Sequence, residues 1–341
     1  MNILVTGGAG FIGSHVCVKL LELGYKVIVI DNLSNSLIST LYNISKIVNI
    51  DLNIDEDIDA YFTFIKADIR DKGPLEKIFS MHQINAVIHF AGLKSVKESV
   101  ENPEDYYSNN VDGSINLFNV MKRFNCKTII FSSSATVYGD SKEIPIKESS
   151  ELFPNNPYGQ SKKIVEDFLK NLFILDETWR IAILRYFNPI GAHKSCLIGE
   201  IQVNVPNNLI PYIMKVASGE LKILNIFGND YDTHDGTGVR DYIHVTDLSY
   251  GHIKSLKALM EKPQVIIVNL GTGVGYSVLD VVRTFEKVTK QKIIYKISGR
   301  RDGDVAVSYA DPTLAKEILD WEATYNLEDM CHDSWKFKLK N

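Results

Sequence analysis

Short apolar runs recur along the first half of the chain, and each ends in glycine or in small or polar residues. The first run, from Asn2 to Thr6, is followed by spaced glycines and by an amphipathic segment that predicts a helix from about Phe11 to Leu23. Apolar runs that alternate with helical segments are typical of parallel strands buried on both faces. The strands predicted in this way cover residues 2–6, 26–30, 61–66, 85–90 and 127–131. The pattern favours the α/β class, with a doubly wound parallel sheet.

The later part of the chain predicts a second, smaller unit. We expect the doubly wound (Rossmann) sheet to occupy about residues 1–186 and a mixed α/β substrate-binding lobe to occupy 187–341. The boundary is not expected to be clean, because the run Val265–Leu270 has the composition of a buried strand. That run and the stretch near Tyr242, together about residues 239–272, are predicted to return to the first domain.

Residues 43–59 differ from their surroundings, because they are rich in asparagine and aspartate and include the acidic run 55–57. This composition predicts an enlarged surface loop, to which no function is assigned. Two longer amphipathic stretches, at about 106–124 and 158–175, predict helices.

The glycines after the first strand have the spacing of a nucleotide-binding turn. Gly7 permits a tight turn, Gly10 lets the backbone approach a pyrophosphate at the start of the helix, and Gly13 allows close packing of helix and strand. The second strand ends in Asp31, where a carboxylate can accept both hydroxyls of an adenosine ribose. The strand, the turn and the acidic residue together predict a site for NAD rather than for its phosphorylated form.

The ends of the following strands predict the rest of this site. Ligands of open parallel sheets bind beyond the carboxyl ends of the strands, so these ends are expected to line one crevice. Asp68 and Ile69 are expected to flank the adenine, although an ordinary strand cap explains Asp68 nearly as well. The segment Phe90-Ala91-Gly92 and Lys94 are expected to flank the pyrophosphate and the nicotinamide ribose.

Tyr158 and Lys162 lie four residues apart in a predicted helix, downstream of the serines 132–134. This spacing puts both side chains on one helix face, with the ammonium close to the phenol. A positive charge at about 4 Å in an effective dielectric near 20 is worth roughly 4 kcal/mol, which would lower a tyrosine pKa from about 10 toward 7. The pair can therefore act as a general base on a substrate hydroxyl. Taken alone, the same spacing is more often a pair on a helix surface.

Composition restricts the class of protein further. The chain has 341 residues, 45% of them hydrophobic, which is enough for one large α/β unit and a smaller lobe. A net charge of −5 without a basic stripe argues against nucleic acid as a partner. The sequence begins directly with a strand and has no apolar run of membrane-spanning length, which predicts a cytoplasmic enzyme without a signal peptide.

The cysteines and histidines show no metal pattern. Cys17, Cys126, Cys196 and Cys331 are scattered without metal or redox spacing, so they are expected to be reduced. The eight histidines show no paired metal spacing either. No metal is therefore expected.

Several longer motifs carry a family resemblance. They cover residues 5–15, 89–94, 131–140, 184–189, 206–209, 226–231 and 235–245. The motifs run through the chain from end to end and in order. On them the chain resembles the UDP-glucose 4-epimerases, a family of extended short-chain dehydrogenases/reductases.

The resemblance implies an NAD-dependent isomerase that interconverts UDP-glucose and UDP-galactose. Tyr158 would take the proton of the sugar 4-hydroxyl while NAD+ accepts the hydride from C4. Lys162 would bind the nicotinamide ribose and lower the pKa of Tyr158, and Ser134 would hydrogen-bond the 4-oxygen. The 4-keto intermediate would turn over in the site and receive the hydride on its other face, so that NAD+ is regenerated and stays bound.

The resemblance also implies two sets of binding residues. The cofactor set consists of Gly7, Gly10, Phe11, Ile12, Gly13, Asp31, Asn32, Asn35, Ser36, Asp68, Ile69, Phe90, Ala91, Gly92, Lys94, Asn109, Ser134, Tyr158, Lys162 and Tyr186. The UDP-hexose set consists of Lys94, Ser134, Tyr158, Phe187, Asn188, Asn207, Asn208, Leu209, Phe227, Arg240, Tyr242, Arg301, Asp304 and Ser308. Arginine forks and amide donors suit a diphosphate. Without the resemblance, Arg240 is equally well explained by a surface ion pair with Asp241, and Arg301 by one with Asp302.

Other activities are compatible with parts of the pattern. Nucleotide-sugar dehydratases of the superfamily carry an acidic pair directly after the serine or threonine, where this chain has Ala135 and Thr136. A 4-keto reductase or an ordinary dehydrogenase fits the catalytic residues but not the motifs of the second half. A cofactor-sensing protein without catalysis is expected to have lost Tyr158 or Lys162, and both are present.

The resemblance bears on substrate size and on assembly as well. In the family, the position of Ser308 faces the sugar 2-substituent; a tyrosine there restricts members to glucose and galactose, and a small residue admits N-acetylated sugars. Serine is small, so activity on UDP-N-acetylglucosamine and UDP-N-acetylgalactosamine is also expected, unless a shift of one residue makes Tyr309 the gate. The helices at 106–124 and 158–175 form a homodimer interface in the family, although packing on the sheet explains them too.

Overall fold

The computed structural model of the protein describes residues 1–54, 59–201, 208–301 and 303–341. In these residues the strands are β1 (Asn2–Thr6), β2 (Lys26–Asp31), β3 (Leu52–Ile54), β4 (Phe62–Lys66), β5 (Ile84–His89), β6 (Thr128–Ser134), β7 (Arg180–Tyr186), β8 (Asn188–Ile190), β9 (Leu224–Phe227), β10 (Val239–His244), β11 (Gln264–Leu270), β12 (Gly275–Ser277), β13 (Tyr295–Ser298) and β14 (Val307–Ser308).

The helices in the same ranges are α1 (Phe11–Glu22), α2 (Ile38–Val48), α3 (Lys72–Met81), α4 (Val96–Glu101), α5 (Pro103–Tyr106), α6 (Gly113–Arg123), α7 (Pro157–Leu175), α8 (Leu209–Ala217), α9 (Val245–Glu261), α10 (Val278–Thr289), α11 (Thr313–Leu319) and α12 (Leu327–Lys340). A π-helical stretch, Tyr107–Asp112, joins α5 to α6, and a 3-10 helix, Ala135–Tyr138, follows β6.

An 8-stranded parallel sheet organises the molecule, in the order β11, β7, β6, β5, β1, β2, β4 and β3. From β1 the chain adds strands on one side, then returns to add β5, β6, β7 and β11 on the other. The direction of strand addition therefore reverses between β1 and β5, where a doubly wound sheet forms its ligand crevice. The α/β class and the doubly wound sheet predicted from the sequence are confirmed.

Helices cover both faces of the large sheet. On one face, α1 and α9 bury side chains such as Val16 and Leu256 against the strands. On the other face, α3, α6 and α7 do the same with Leu75, Leu117 and Val165. The helix that carries Tyr158 and Lys162 therefore packs on the second face, against β6 and β7.

The strand around Tyr242 is not part of the large sheet, so that prediction is wrong. This strand, β10, pairs in parallel with β8 and β14 and antiparallel with β12, in a 4-stranded sheet. A strand between two helix layers needs apolar residues on both faces, and β10 carries Arg240 and Asp241. The other predicted return strand, Val265–Leu270, does join the large sheet as β11, next to β7.

The segment at 43–59 is not one surface loop, which corrects that prediction. Helix α2 continues to Val48 with Leu41 and Ile44 buried, and β3 pairs in parallel with β4. The helix ends at Asn49, whose positive φ of 54° is a conformation that asparagine adopts more readily than most residues. The acidic run at 55–57 lies outside the described residues.

A smaller core lies beside the large sheet. Helices α8, α10 and α12 bury Ile213, Phe285 and Met330 next to a 2-stranded parallel pair of β9 and β13. Ile146 pairs with Ala310 in an isolated bridge, and a backbone bond of 2.9 Å joins its amide to the carbonyl of Tyr309. This connection brings the end of β14 next to the loop that follows β6. The division of the chain at residue 186 stays a prediction.

In the part of the chain that the structure describes, no helix combines the length and the apolar composition needed to cross a membrane.

Candidate active site

The turn after β1 is packed tightly against the end of β5. Gly7 has a φ of +71°, and a Cβ added to it would lie 2.7 Å from the backbone nitrogen of Ala91. A Cβ on Gly13 would collide with the carbonyl oxygen of Gly7. Helix α1 starts after Gly10, so the free amides of its first turn, including Ile12, are available to an anion. A recess beside this turn is lined by Ala9, Gly10, Phe11, Asn35, Ser36, Leu37, Thr40, Gly199 and Ile201.

Asp31 ends β2 beside the glycine turn, as predicted. One carboxylate oxygen accepts a hydrogen bond from the amide of Ala9 at 3.1 Å, and the other accepts bonds from Leu33 and Ser36, both at 2.9 Å. Burial raises the pKa of Asp31, and these bonds oppose the rise. The carboxylate is thus held at the strand end where a ribose would lie.

Asp68 follows β4 and is bound by its own neighbours. Arg70 donates to its two carboxylate oxygens at 2.9 and 2.8 Å, and Asn32 donates to one of them at 2.9 Å. The bonds from Arg70 hold the pKa of Asp68 well below its usual range. These contacts agree with the alternative in which Asp68 caps a strand end. Ile69 is buried against Gly113, and the contact of either residue with an adenine stays a prediction.

The segment after β5 runs from the glycine turn to α7. The amides of Phe90 and Ala91 donate to the carbonyl of Thr6 at 3.0 and 3.1 Å. A Cβ on Gly92 would lie 3.6 Å from Nζ of Lys162, so this backbone passes close to the ammonium. The predicted cofactor segment and the predicted catalytic helix therefore meet.

Lys94 and Asn208 meet at Glu200, which the sequence did not single out. Nζ of Lys94 lies 3.1 Å from a carboxylate oxygen of Glu200, and Asn208 donates to the same oxygen at 2.9 Å. The carboxylate of Glu200 therefore joins Lys94, which is predicted to bind both cofactor and substrate, to Asn208, which is predicted to bind the substrate. Asn207, the neighbouring predicted residue, lies outside the described residues.

Ser134, Tyr158 and Lys162 come together where β6 faces α7. Helix α7, which carries Tyr158, packs against the 3-10 helix that follows Ser134, and the Ser134 hydroxyl lowers the pKa of Tyr158. Oγ of Ser134 accepts bonds from the amide and hydroxyl of Thr136. Lys162 lies one turn farther along α7, with Nζ 5.8 Å from the centroid of the Tyr158 ring. Nζ donates to the carbonyl of Ser132 at 2.8 Å. A phenol, a hydroxyl and an ammonium thus share one small region.

The acid–base properties of this group differ from the prediction. Burial raises the pKa of Tyr158, and the hydrogen bond with Ser134 offsets only part of the rise. Burial also lowers the pKa of Lys162 to about 8, against the opposing charge of Glu166. For the protein groups alone, burial therefore outweighs the effect of Ser134, and a lowering of the Tyr158 pKa by Lys162 stays a prediction.

A buried polar network lies behind these residues, and the sequence did not predict it. Glu166 accepts a hydrogen bond from Ser133 at 2.6 Å and two from Arg185, at 3.0 and 2.7 Å. Arg185 also donates to the hydroxyl of Tyr138 at 2.9 Å. The signal was present, because a charged residue interrupts the apolar run of β7 and a glutamate lies one turn beyond Lys162 on α7.

Four residues predicted to bind the sugar nucleotide lie in the 4-stranded sheet. Tyr242 pairs with Asn188 of β8, and Arg240 pairs with Ser308 of β14. Since strand side chains alternate between faces, Arg240 and Tyr242 share one face, and parallel pairing places their partners on it as well. The sheet therefore brings these four residues together.

Asp241 lies on the opposite face of β10. Its carboxylate accepts hydrogen bonds from Thr272, Gly273 and Ala310 and is buried. Asp241 is therefore a structural residue that joins β10 to two loops, and the alternative in which it forms a surface pair with Arg240 is wrong.

Phe227, Arg301 and Asp304 form a second group, at the surface. The guanidinium of Arg301 lies 4.9 Å from the centroid of the Phe227 ring and forms an ion pair with Asp304 at 2.8 Å. The Arg301 side chain is 55% exposed. Asp302, the alternative partner of Arg301, lies outside the described residues.

The remaining predicted residues include Tyr186, which pairs with Ser134 across β6 and β7. The hydroxyl of Tyr186 is hydrogen-bonded to His252 on the other face of the large sheet. Phe187 is buried in a small cluster with Tyr138, Leu209 begins α8, and Asn109 lies in the π-helical stretch. Their contacts with a ligand stay predictions.

The geometry defines a class of protein. A doubly wound sheet, a glycine turn at the point where strand order reverses, and a serine, tyrosine and lysine on β6 and α7 are the features of an extended short-chain dehydrogenase/reductase. In agreement, a family model described as GDP-mannose 4,6 dehydratase matches residues 4–334.

Named relatives narrow this class to a family. UDP-glucose 4-epimerase of Bacillus subtilis (strain 168) is 50% identical over 341 residues, which cover 100% of this chain and 98% of the relative. UDP-glucose 4-epimerase of Homo sapiens is 48% identical over 347 residues, which cover 100% and 97%. The crystal structure of UDP-glucose 4-epimerase from Bifidobacterium longum in complex with NAD+ and UDP superposes with a TM-score of 0.94 at 46% identity, covering 100% of this chain and 99% of that one. The chain belongs to the UDP-glucose 4-epimerase family.

Proposed function

We propose that this protein interconverts UDP-glucose and UDP-galactose by inverting C4 through a 4-keto intermediate, with NAD as a bound cofactor. The observation that carries the proposal is the grouping of Ser134, Tyr158 and Lys162, with Lys162 one helical turn from Tyr158 and close to the backbone at Gly92. Relatives of the same family, at 46% and 45% identity, were solved with NAD and with a UDP or UDP-sugar ligand. These findings support an epimerase rather than a protein that only senses the cofactor.

The residues present fit a dinucleotide. The closely packed Gly7 and Gly13 leave room for a pyrophosphate at the first turn of α1, and Asp31 is fixed where the adenosine ribose would lie. Lys162 and the backbone at Gly92 would hold the nicotinamide ribose. When bound, the oxidised nicotinamide supplies a hydride acceptor and a positive charge close to Tyr158.

The protein groups then have separate tasks. Tyr158 takes the proton of the sugar 4-hydroxyl and later returns a proton to the 4-oxygen, while Ser134 keeps that oxygen in place. Lys162 holds a positive charge beside the phenol. Burial raises the pKa of Tyr158, and we assign the opposing effect to Lys162 together with the bound nicotinamide. Ala135 and Thr136 carry no carboxylate, and Thr136 instead donates to Ser134. Elimination of water, the dehydratase reaction, therefore has no acid–base pair at this position.

The outer groups would hold the UDP moiety. Arg240 and Arg301 offer guanidinium forks that suit a diphosphate, and Phe227 offers an apolar wall for the uracil. The exposed ion pair of Arg301 with Asp304 costs little to open, because exposed pairs contribute only about 0–1 kcal/mol. Arg301 can therefore exchange its carboxylate partner for a phosphate.

The proposal is tested on the purified protein without added cofactor. We expect UDP-galactose to be converted to UDP-glucose, with no net formation of NADH in the ultraviolet spectrum. Steady accumulation of NADH would indicate a dehydrogenase instead, and the absence of any turnover with bound NAD would contradict the proposal.

The cofactor preference is tested on protein stripped of dinucleotide. Refilling with NAD should restore activity, whereas NADP should not, because the Asp31 carboxylate repels a 2′-phosphate. Equal activity with both dinucleotides would show that Asp31 does not select the cofactor.

We also propose that the site admits N-acetylated sugars, because Ser308 is small and lies on the face of Arg240. Tyr309, the alternative gate, packs elsewhere: a Cβ on Gly275 would lie 3.0 Å from its ring. Overpacking of about 1–3 kcal/mol corresponds to roughly a 5- to 150-fold loss, which we expect for Ser308→Tyr on UDP-N-acetylglucosamine. The control Ser308→Cys should retain both sugar pairs. If the wild type converts neither N-acetylated UDP-sugar, the small side chain of Ser308 does not make room for the acetamido group.

A homodimer is proposed as well, through the helices at 106–124 and 158–175. The end of α7 leaves Ile174 and Leu175 exposed at 72% and 82%, as an apolar contact would require. Light scattering should give twice the monomer mass, and a monomer at micromolar concentration would contradict this assembly.

A further inference from the structure

Ser133, Glu166 and Arg185 join β6, β7 and α7 through one carboxylate. Ser133 and Arg185 are paired residues of adjacent strands, and both donate to Glu166. Glu166 lies four residues after Lys162 and eight after Tyr158, so the three side chains follow one face of α7. The helix face that carries the proposed base is therefore fixed to the sheet at Glu166.

Among the residues that the structure describes, Lys162 has few titratable neighbours. On α7 these are Glu166 and the phenol of Tyr158, and on β5 the nearest is His89. Burial lowers the pKa of His89 to about 3, so its ring is neutral at ordinary pH. Among these neighbours, Glu166 is the group whose charge favours the protonated form of Lys162.

The charge of Glu166 is itself balanced. Arg185 contacts the carboxylate at 2.7 Å, with both side chains almost fully buried, and Lys170 on α7 lies 3.7 Å from it. Removing the carboxylate would leave the Arg185 guanidinium uncompensated in a dry region one helical turn from Lys162. A second buried cation would then favour the neutral form of Lys162.

We propose that Glu166 is a positioning residue: its carboxylate compensates Arg185, so that Lys162 stays protonated beside Tyr158, and it holds α7 in register with β6. The inference rests on the proposed function, because it assigns Lys162 and Tyr158 their tasks in that reaction. The Glu166 side chain is fully buried, and Glu166 is not one of the proposed ligands of substrate or cofactor.

The test compares pH–rate profiles of holoenzyme variants. Glu166→Gln keeps the size and should move the alkaline limb of kcat to lower pH by roughly one unit, the usual size of a shift caused by one nearby charge. Glu166→Asp keeps the negative charge, so its alkaline limb should stay at the pH of the wild type even if turnover falls. The double variant Glu166→Gln/Arg185→Gln removes both charges, and its alkaline limb should return to the pH of the wild type.

The matched control is Asp167→Asn. Asp167 is the next residue of α7, pairs with Lys163 and Lys170, and has a side chain 47% exposed. Its removal takes the same charge from the same helix, and we expect no shift of the limb. A shift equal to that of Glu166→Gln would overturn the proposal, because any acidic residue of α7 would then have the same effect on the pH–rate profile.

A second readout does not need activity. In cofactor-free protein with 13C-labelled lysine, the Lys162 side-chain signal is assigned by its loss in Lys162→Met and followed through pH. Glu166→Gln should titrate at lower pH than the wild type. An unchanged titration overturns the proposal, even when turnover falls.

A wild type without epimerase activity would contradict the proposed function, and this titration would still decide the role of Glu166. If Glu166→Gln does not fold, Glu166→Asp and the double variant carry the comparison.

Discussion

The two halves of the proposed site hold their charged side chains in different ways. Behind Tyr158, Glu166 and Arg185 are 0% and 2% exposed and bound to each other through two hydrogen bonds. At the other end, Arg301 and Asp304 are 55% and 24% exposed. A buried pair is costly to break, and an exposed pair is not. The inner half therefore fixes geometry for proton transfer, and the outer half offers groups that can change partners when a ligand arrives.

The strongest way to separate the two halves is Tyr158→Phe. We expect kcat to fall roughly 10²–10⁴-fold, the usual contribution of a general acid–base group, with unchanged affinity for UDP. Turnover assays and calorimetry of UDP binding measure the two effects. Tyr42→Phe, on the exposed surface of α2, is the matched control and should change neither. Near-normal turnover of Tyr158→Phe would mean that another residue is the base.

The stability of the inner half is tested by Arg185→Met. The buried carboxylate of Glu166 then keeps only Ser133 and the partly exposed Lys170 as partners, and the free energy of unfolding should fall by about 3–5 kcal/mol, measured by urea denaturation. In Arg301→Met the change should stay within about 1 kcal/mol, because that pair is exposed. Similar losses in both variants would remove the contrast between the halves.

The smallest effect is expected from Arg301→Ala. Loss of a charge-assisted hydrogen bond to a diphosphate should raise KM roughly tenfold and leave kcat nearly unchanged. Arg300→Ala is the control, because Arg300 pairs with Asp230 and stacks on Tyr231 and is not a proposed ligand. A fall in kcat without a rise in KM would place Arg301 in the inner half.

The sequence was a good guide wherever the pattern is local. The glycine spacing after β1, the carboxylate at the end of β2 and the four-residue spacing of Tyr158 and Lys162 depend on neighbours along the chain, and the structure has them in place. Strand pairing depends on residues far apart, so β10 was predicted to return to the first domain and lies instead in the 4-stranded sheet. The same limit explains why Glu166 and Arg185 were missed as a pair. The rise that burial causes in the pKa of Tyr158 could not be predicted either, because burial is set by the whole fold.

The late position of β11 has a consequence for how the protein is made. This strand covers the outer edge of β7, yet it is synthesised only at residues 264–270, after α8, β10 and α9. A chain that stopped at residue 186 would leave the apolar stretch Ile181–Leu184 with unpaired backbone groups, which invite pairing with other chains. We therefore expect a truncation after residue 186 to aggregate, since the sheet is complete only once residue 270 has been synthesised.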